Sequence, residues 1–194
     1  RWNDTTNFEF RIVRDSYGNP CSDPNVSAAK NGVAFSESIC GIDWADELIA
    51  VSLTWIKNNT NEIVQSGVLF NRLEDWGVYS GPWWEDPYFG INDFRRIAVH
   101  ELGHCLGLGH EDSVPAIMQS KAGDLEYPTA DDIAGVDFLY PVPAQSPPDP
   151  SSDSPQDIQR EGVPTQAGSV GGDNSGGGGG GGGGGCFIAS AAYG

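Results

Sequence analysis

The length and charge of this chain exclude several classes of function before any motif is considered. Its 194 residues include 10 Lys and Arg against 27 Asp and Glu, a net charge of −17. So much negative charge repels nucleic acid and anionic membrane surfaces, and no apolar run approaches the roughly 20 residues that span a bilayer. We therefore expect no nucleic-acid partner and no membrane span. The length suits one domain of roughly 140 residues with a tail, and we expect a monomer.

The N-terminal region predicts one strand and one disulfide. The chain opens at Arg1 without an initiator methionine or an apolar export segment, which indicates a processed form or an excised piece. Polar and apolar residues alternate over Asn7–Ile12, the period of a half-buried strand. Cys21 and Cys40 lie in sequence rich in Gly, Pro, Asn and Ser, so we expect them to close a loop of about 20 residues in an oxidising compartment. Two reduced cysteines, or a pairing with Cys186, are the alternatives.

The middle of the chain predicts a β-hairpin. Val51, Leu53 and Trp55 alternate with polar residues, as in a half-buried strand. The polar stretch Lys57–Glu62 separates this strand from a second one, Ile63–Phe70. Two strands joined by so short a segment form a hairpin with a longer loop.

A long loop, residues 71–91, combines aromatic and acidic side chains. The aromatic residues are Trp76, Tyr79, Trp83, Trp84, Tyr88 and Phe89. They could line a binding groove, but we favour anchoring of the loop onto the core, which is the commoner use of such residues. The acidic residues are Glu74, Asp75, Glu85 and Asp86. Their carboxylates could bind Ca²⁺, yet no recognised calcium-loop spacing occurs, so we favour a solvated surface.

Two helices are predicted after this loop. Apolar residues follow helical spacing from Asn92, where Asn92 or Asp93 is available as the N-cap, and Gly107 is a natural stop. A last helix begins near Thr129, with Asp132 three residues on as a partial capping box, and ends before Pro141.

The composition changes after residue 141. Residues 142–185 are rich in Pro, Ser, Asp, Gln and Gly and end in ten consecutive glycines, Gly176–Gly185. Such a sequence buries too little apolar surface to offset chain entropy, so we expect a disordered linker. Residues 186–194 form a short apolar C-terminal motif.

The stretch from His100 to His110 fits the pattern H-E-x-x-H-x-x-G-x-x-H at all five fixed positions. On a helix, residues four apart share a face, so His100 and His104 can bind one metal ion. Gly107 can adopt a left-handed conformation that turns the chain and brings His110 to the same ion. Three neutral imidazoles and a water are the open tetrahedral arrangement of catalytic zinc, and Glu101 lies near enough to reach that water.

This arrangement predicts peptide hydrolysis of an extended polypeptide substrate. Zinc lowers the pKa of its bound water and polarises the scissile carbonyl, while Glu101 takes the proton and passes it to the leaving amine. The three histidines of the motif are all the histidines in the chain, so none remains for a Ser-His-Asp apparatus. A catalytically inactive, zinc-stabilised binding or adhesion module is the alternative. Glu101 argues against it, because such a module needs no base beside the metal.

The motif and the residues after it resemble the matrixin family of the metzincin clan. The resemblance rests on the Gly-Leu-Gly-His ending, the eight-residue step from His110 to Met118, and the helix that begins with Asp131-Asp132-Ile133. It covers residues 1–141 and implies an α+β fold with a twisted, mainly antiparallel sheet, a zinc-binding helix and a C-terminal helix, followed by the disordered tail. The resemblance also implies that Met118 forms a methionine turn beneath the metal, and that an edge strand binds extended substrate. Such proteins are zinc endopeptidases.

Two further features refine this resemblance. Glu111 follows the third histidine as in the astacin family, but Ser120 stands where an astacin has tyrosine, so the matrixin resemblance is retained. The tail is similar to a glycine-rich Cys-Phe-Ile-Ala type motif near the ends of exported bacterial proteins, with Ser190 in place of threonine. This similarity implies a bacterial source and a secreted, extracellular or cell-envelope location. Anchoring or processing at Cys186 is a hypothesis, and a disordered remnant is its alternative.

Overall fold

The computed structural model of the chain describes residues 1–14, 17–25, 30–85, 87–142 and 185–193, the last range by its backbone. The helices are α1 (Trp2–Thr5), α2 (Phe94–Cys105) and α3 (Ala130–Leu139). The strands are β1 (Gly32–Ser36), β2 (Leu48–Lys57), β3 (Ile63–Asn71), β4 (Trp76–Gly77), β5 (Asn92–Asp93) and β6 (Gly185–Tyr193).

The main sheet has four strands in the order β1-β3-β2-β6. β1 is parallel to β3, whereas β2 is antiparallel to both β3 and β6. The predicted hairpin is formed by β2 and β3, and the Lys57 amide donates to the Glu62 carbonyl across its loop at 3.0 Å. β4 and β5 form a separate two-residue parallel pair. The predicted α+β fold with a mainly antiparallel sheet is confirmed.

β2 is the central element of the core. Its first seven residues, from Leu48 to Thr54, are all buried, because both faces of the sheet are covered. One face packs on α2 through Ile49, Val68, Phe70 and Ile97. The opposite face packs under the N-terminal loops through Val51, Leu53, Leu69, Ile39 and Trp44. Burial on both faces explains why the strand begins with the continuous apolar run Leu48–Val51, before the alternation that predicted it.

The strand predicted over Asn7–Ile12 is wrong. Asn3 occupies the hydrogen-bonding groups of Phe10 that a partner strand would use, because its Oδ1 accepts from the Phe10 amide and its Nδ2 donates to the Phe10 carbonyl. Phe8 and Phe10 instead pack against the cluster between α2 and α3, and the Phe8 ring lies 5.0 Å from that of Tyr140. The alternation therefore reflects two aromatic anchors on an irregular segment.

The C-terminal motif contributes a strand that the sequence analysis did not predict. Gly185–Tyr193 forms β6 along the outer edge of β2. A nine-residue apolar segment acquires strand structure only with a partner, which its own sequence does not specify. The linker predicted over residues 142–185 lies, apart from its two ends, outside the described residues. Within the described ranges, no helix is long and apolar enough to cross a membrane.

Candidate metal centre

α2 positions two of the three candidate metal ligands. Asp93 is its N-cap, and the Asp93 side chain accepts a hydrogen bond from the Arg95 amide at 3.2 Å. The helix then continues without a Gly or Pro until Gly103. His100 and His104 are one turn apart on it, and each is only 4% exposed.

The end of α2 brings in the third histidine. Gly107 has a φ of +96°, a left-handed conformation that favours glycine. The Leu108 amide donates to the Gly103 carbonyl at 3.1 Å, which satisfies the helix end as the chain reverses. His110 then returns to the same point as His100 and His104, and its side chain is exposed.

The three imidazoles converge through their Nε2 atoms. His104 Nε2 lies 3.1 Å from His100 Nε2 and 3.2 Å from His110 Nε2. Nitrogen ligands about 2.0–2.1 Å from a tetrahedral zinc ion would be about 3.3 Å apart, so the observed separations fit such an ion.

The other ring nitrogens fix the protonation state of this group. His100 Nδ1 lies 2.9 Å from the Ile117 carbonyl and His104 Nδ1 lies 2.8 Å from the Leu108 carbonyl. A carbonyl only accepts, so each Nδ1 carries the proton and each Nε2 presents a lone pair. Burial lowers the pKa of His100 to about 4 and that of His104 to about 3, so both are neutral at pH 7. Close, neutral Nε2 lone pairs repel one another unless a cation lies between them.

Glu101 follows the first histidine and is fully buried, with 0% exposure. Its charge also acts on Cys105, on the sheet side of α2. Burial raises the pKa of the Cys105 thiol to about 12. A hydrogen bond with Ser66 opposes this rise, and the charge of Glu101 adds to it. Cys105 is therefore a protonated thiol at neutral pH.

Met118 lies directly beneath α2. It is 1% exposed, and its carbonyl accepts from the Glu111 amide at 2.9 Å. A β-carbon at Gly103 would collide with the Met118 thioether and would lie 3.1 Å from the Trp2 ring. In the sequence motif, Gly103 occupies one of the variable positions. Its importance depends on the distant residues that pack there, so the local pattern gave no signal for it.

Asp132 joins the segment around Met118 to α3. Its carboxylate accepts from the amides of Ile117 at 2.9 Å and Met118 at 3.2 Å, and from the amide and hydroxyl of Thr129. The capping box predicted at Thr129 is formed. The sequence pattern revealed this local role of Asp132, whereas its hydrogen bonds 14 and 15 residues back along the chain could not be derived from spacing.

The aromatic loop is attached to the body of the protein by hydrogen bonds. The Trp83 amide donates to Asp124 Oδ1 at 2.8 Å, and Trp76 and Trp83 pack against the core cluster between the sheet and α2. These contacts agree with the anchoring role favoured from the sequence, although Phe89 remains 78% exposed.

The acidic residues considered for calcium do not form a cluster among the described residues. Glu74, Asp75 and Glu85 are exposed, and Asp86 lies outside the described residues. Within the part of the chain that the structure describes, the group of side chains able to hold a metal ion consists of His100, His104 and His110.

The N-terminal disulfide is present. Cys21 and Cys40 are joined with a Cα–Cα distance of 5.4 Å and a sequence separation of 19. Cys21 packs against the sheet face opposite α2, so the disulfide lies on the other side of the sheet from the histidines.

Comparison with known proteins places these features in a family. The family model described as Matrixin matches residues 45–141, half of the chain. The chain is 44% identical over 77 residues to the macrophage metalloelastase of Oryctolagus cuniculus, a match that covers 38% of this chain and 16% of the relative. It is 40% identical over 72 residues to Metalloendoproteinase 5-MMP of Arabidopsis thaliana, covering 34% and 20%. Stromelysin-1 of Equus caballus is 39% identical over 69 residues, covering 33% and 14%. Each match thus spans a fifth or less of the length of the relative. Because the family model covers half of the chain, the chain belongs to the matrixin family.

Proposed function

We propose that the chain is a secreted, zinc-dependent endopeptidase that cuts extended polypeptides. The observation that carries this proposal is the convergence of three Nε2 lone pairs beside the buried Glu101 in a matrixin chain. Two of these relatives, the macrophage metalloelastase and Metalloendoproteinase 5-MMP, are named as metal-dependent proteinases, which supports the same reaction class.

His100, His104 and His110 would hold the ion, and three protein ligands are the number found in catalytic zinc sites. The Nδ1 hydrogen bonds of His100 and His104 prevent rotation of these rings, so their Nε2 atoms are already aimed before an ion binds. When bound, zinc supplies a Lewis acid that polarises the scissile carbonyl and activates a water.

Glu101 is the proposed general base. Its carboxylate would accept a proton from the attacking water and then deliver it to the nitrogen of the leaving amine. Full burial in α2 fixes the position of this carboxylate and keeps bulk water from its other sides. The helix places it one residue from His100, so base and metal ligand move as one rigid body.

A cavity beside His100 supports a polypeptide substrate. It is lined by His100, Arg96, Ile97, Ala116 and Ile117, among others, and opens next to the metal ligands. Its lining is mainly apolar, so it would favour an apolar substrate group beside His100.

We further propose that residues 1–141 form the catalytic domain, residues 142–185 a linker, and residues 186–194 a short apolar C-terminal motif that adds to the sheet of this domain. α3 ends at Leu139 and the family match ends at residue 141, which supports the first boundary. The disulfide between Cys21 and Cys40 supports folding in an oxidising compartment, in keeping with secretion.

The proposed activity can be tested by cleavage of gelatin or casein with wild type and with Glu101→Gln, each with its zinc content measured. We expect wild type to bind one zinc ion and to cleave. Glu101→Gln should keep the zinc and lose activity by about 10²–10⁴-fold, the range for a removed general base. Glu62→Gln, an exposed glutamate of the hairpin loop, is the matched control and should behave as wild type. If wild type binds zinc but cleaves no polypeptide, the peptidase proposal fails and a zinc-stabilised binding module replaces it.

A further inference from the structure

The outer edge of β2 is occupied by the chain's own C-terminal motif. β6 pairs with β2 along the whole strand, from Lys57 opposite Gly185 to Leu48 opposite Tyr193, with one irregularity between Leu48 and Ala50. Both edges of β2 are therefore hydrogen-bonded, one to β3 and the other to β6.

This edge runs alongside the part of α2 that carries the metal ligands. Near its start, α2 packs through Ile97 against Ala50, which lies opposite Ala192. Near its end, Cys105 is hydrogen-bonded to Ser66, which lies opposite Thr54 on the neighbouring strand.

The same positions define where β6 lies. Thr54 pairs with Ile188, so the backbone from Ile188 to Ala192 extends beside the stretch of α2 that contains His100 and His104. α2 also packs against β6 itself, as well as against β2 and β3.

The opposite edge of the sheet is less well placed. It is formed by β1, whose Phe35 meets α2 at the first helical residue, Phe94, with ring centroids 5.6 Å apart. An extended polypeptide that adds to the sheet and reaches the middle of α2 must therefore pair with β2, because strand addition needs unpaired backbone groups.

We propose that β6 is a built-in competitor, which occupies in cis the strand edge that a substrate polypeptide takes. This inference rests on the proposed peptidase function. The C-terminal motif would then act as a regulator that must leave β2 before substrate binds. Its chemistry is that of the ligand it replaces, namely an extended, uncharged, antiparallel strand held by main-chain hydrogen bonds.

The length of the linker allows β6 to reach β2 and predicts how strongly β6 should compete with substrate. Residues 143–184 lie between the catalytic domain and β6, and so many residues can span up to roughly 140 Å when extended. A tethered segment competes at an effective concentration that reaches the millimolar range for short linkers. If the free strand bound with a Kd of about 0.1 mM, the tethered strand would raise the apparent KM about tenfold and leave kcat unchanged.

Release of β6 is the first test. Ser190→Pro with Ala191→Pro removes two adjacent amide donors from β6 and so disrupts pairing whichever of them faces β2. Ala167→Pro with Ser169→Pro makes the same chemical changes in the linker and is the matched control. We expect the first variant to cleave a fluorogenic peptide with a KM lowered by at least threefold and a kcat within twofold of wild type. Deuterium exchange in Leu48–Lys57 should accelerate in the same variant, and the control should show neither change.

The second test adds the strand back as a free peptide. It also distinguishes loss of β6 pairing from misfolding of the variant, because a misfolded variant would not respond to the peptide. A synthetic peptide of residues 185–193, with Cys186→Ser to avoid oxidation, should raise the KM of the Ser190→Pro/Ala191→Pro variant back towards the wild-type value. The wild-type KM should not depend on enzyme concentration. A KM that rises with enzyme concentration would show that the strand comes from a second chain and would overturn pairing in cis.

A binding measurement separates this inference from the proposed function. In a Glu101→Gln background, a labelled extended peptide should bind at least threefold more tightly once the two prolines are added to β6. Unchanged peptide affinity overturns the competition, even if wild type is an active peptidase. Conversely, tighter binding without cleavage by wild type would leave the competition standing and remove the proposed activity.

Discussion

The region that contains the histidines and the N-terminal region are stabilised in different ways. Residues 94–140 form two capped helices joined by a turn segment, and the hydrogen bonds that orient His100 and His104 connect residues fewer than 20 positions apart. The described residues of 1–44 include one helical turn and one short strand, and this region depends on distant partners. The indole of Trp2, for example, donates to the carbonyl of Val99, 97 residues away. The residues that orient the histidines are therefore close to them in the sequence, whereas the residues that pack beneath α2 also come from distant parts of the chain.

Trp2 connects the two regions. It is 2% exposed and packs in one cluster with Val99, Leu106 and Met118. Its ring reaches Gly103 from below, on the same side as the Met118 thioether. The N-terminal segment thus forms part of the floor of the metal centre, so a substitution of Trp2 should destabilise both regions.

Trp2→Ala should have the largest effect on stability. Removal of a buried indole leaves a cavity beneath α2, and we expect the free energy of unfolding to fall by about 5 kcal/mol. Trp2→Phe retains most of the ring and should lose less than half as much. Denaturant unfolding with zinc present measures both values. A loss below about 1 kcal/mol for Trp2→Ala would mean that the N-terminal segment is not part of the floor.

Asp132→Asn should lower the free energy of unfolding by about 4 kcal/mol and should also disturb the metal centre. Four donors point at this carboxylate, and an asparagine offers one oxygen while its amide group confronts the remaining donors. We also expect weaker zinc binding, because the Ile117 carbonyl that orients His100 belongs to the same segment. Asp131→Asn, at the exposed neighbouring position, is the control and should change stability by less than about 0.5 kcal/mol. Zinc titration with a competing chelator measures the zinc affinity of both variants. An unchanged affinity in Asp132→Asn would contradict this expectation.

Loss of the disulfide should affect the N-terminal region alone. Cys21→Ser with Cys40→Ser opens a loop with a sequence separation of 19, which lowers the free energy of unfolding by about 3 kcal/mol. Zinc affinity of the folded protein should be unchanged, since the disulfide lies across the sheet from α2. Parallel unfolding curves and zinc titrations make this comparison, and a tenfold loss of zinc affinity would show that the regions are coupled through the sheet.

The prediction for Cys105 concerns its chemical reactivity and involves no expected change in the stability of either region. Its pKa, raised to about 12 chiefly by burial, leaves about 10³-fold less thiolate at pH 8 than an ordinary pKa of 9 would. Alkylation of Cys105 by iodoacetamide should therefore be at least about 10³-fold slower in the native protein than in the unfolded protein, as measured by peptide mass spectrometry. Equal rates would indicate that the sheet side of α2 opens readily.

The difference between the two regions also explains what could be predicted from the sequence. The helix with His100 and His104, the left-handed Gly107 and the capping box at Thr129 depend on neighbours within a few residues, and spacing alone indicated them. The segment Asn7–Ile12 has the right alternation for a strand but no partner strand, because Asn3 takes the backbone groups of Phe10.

Other features depended on contacts that no local pattern contains. The role of Gly103 is set by the Met118 thioether and the Trp2 ring, which approach from two other segments. β6 follows a stretch whose composition predicts disorder, and its strand structure depends on the edge of β2, more than 120 residues earlier in the sequence. Such pairings are selected by the folded sheet as a whole.

The carboxylate of Asp132 has a consequence for the order of folding. It accepts hydrogen bonds from Ile117 and Met118, yet it lies on α3, 22 residues after the last histidine. A chain leaving the ribosome would therefore present all three histidines before it could fix the segment that orients them, and α3 must dock first. The group of three histidines is therefore not held in its final geometry until synthesis has passed α3.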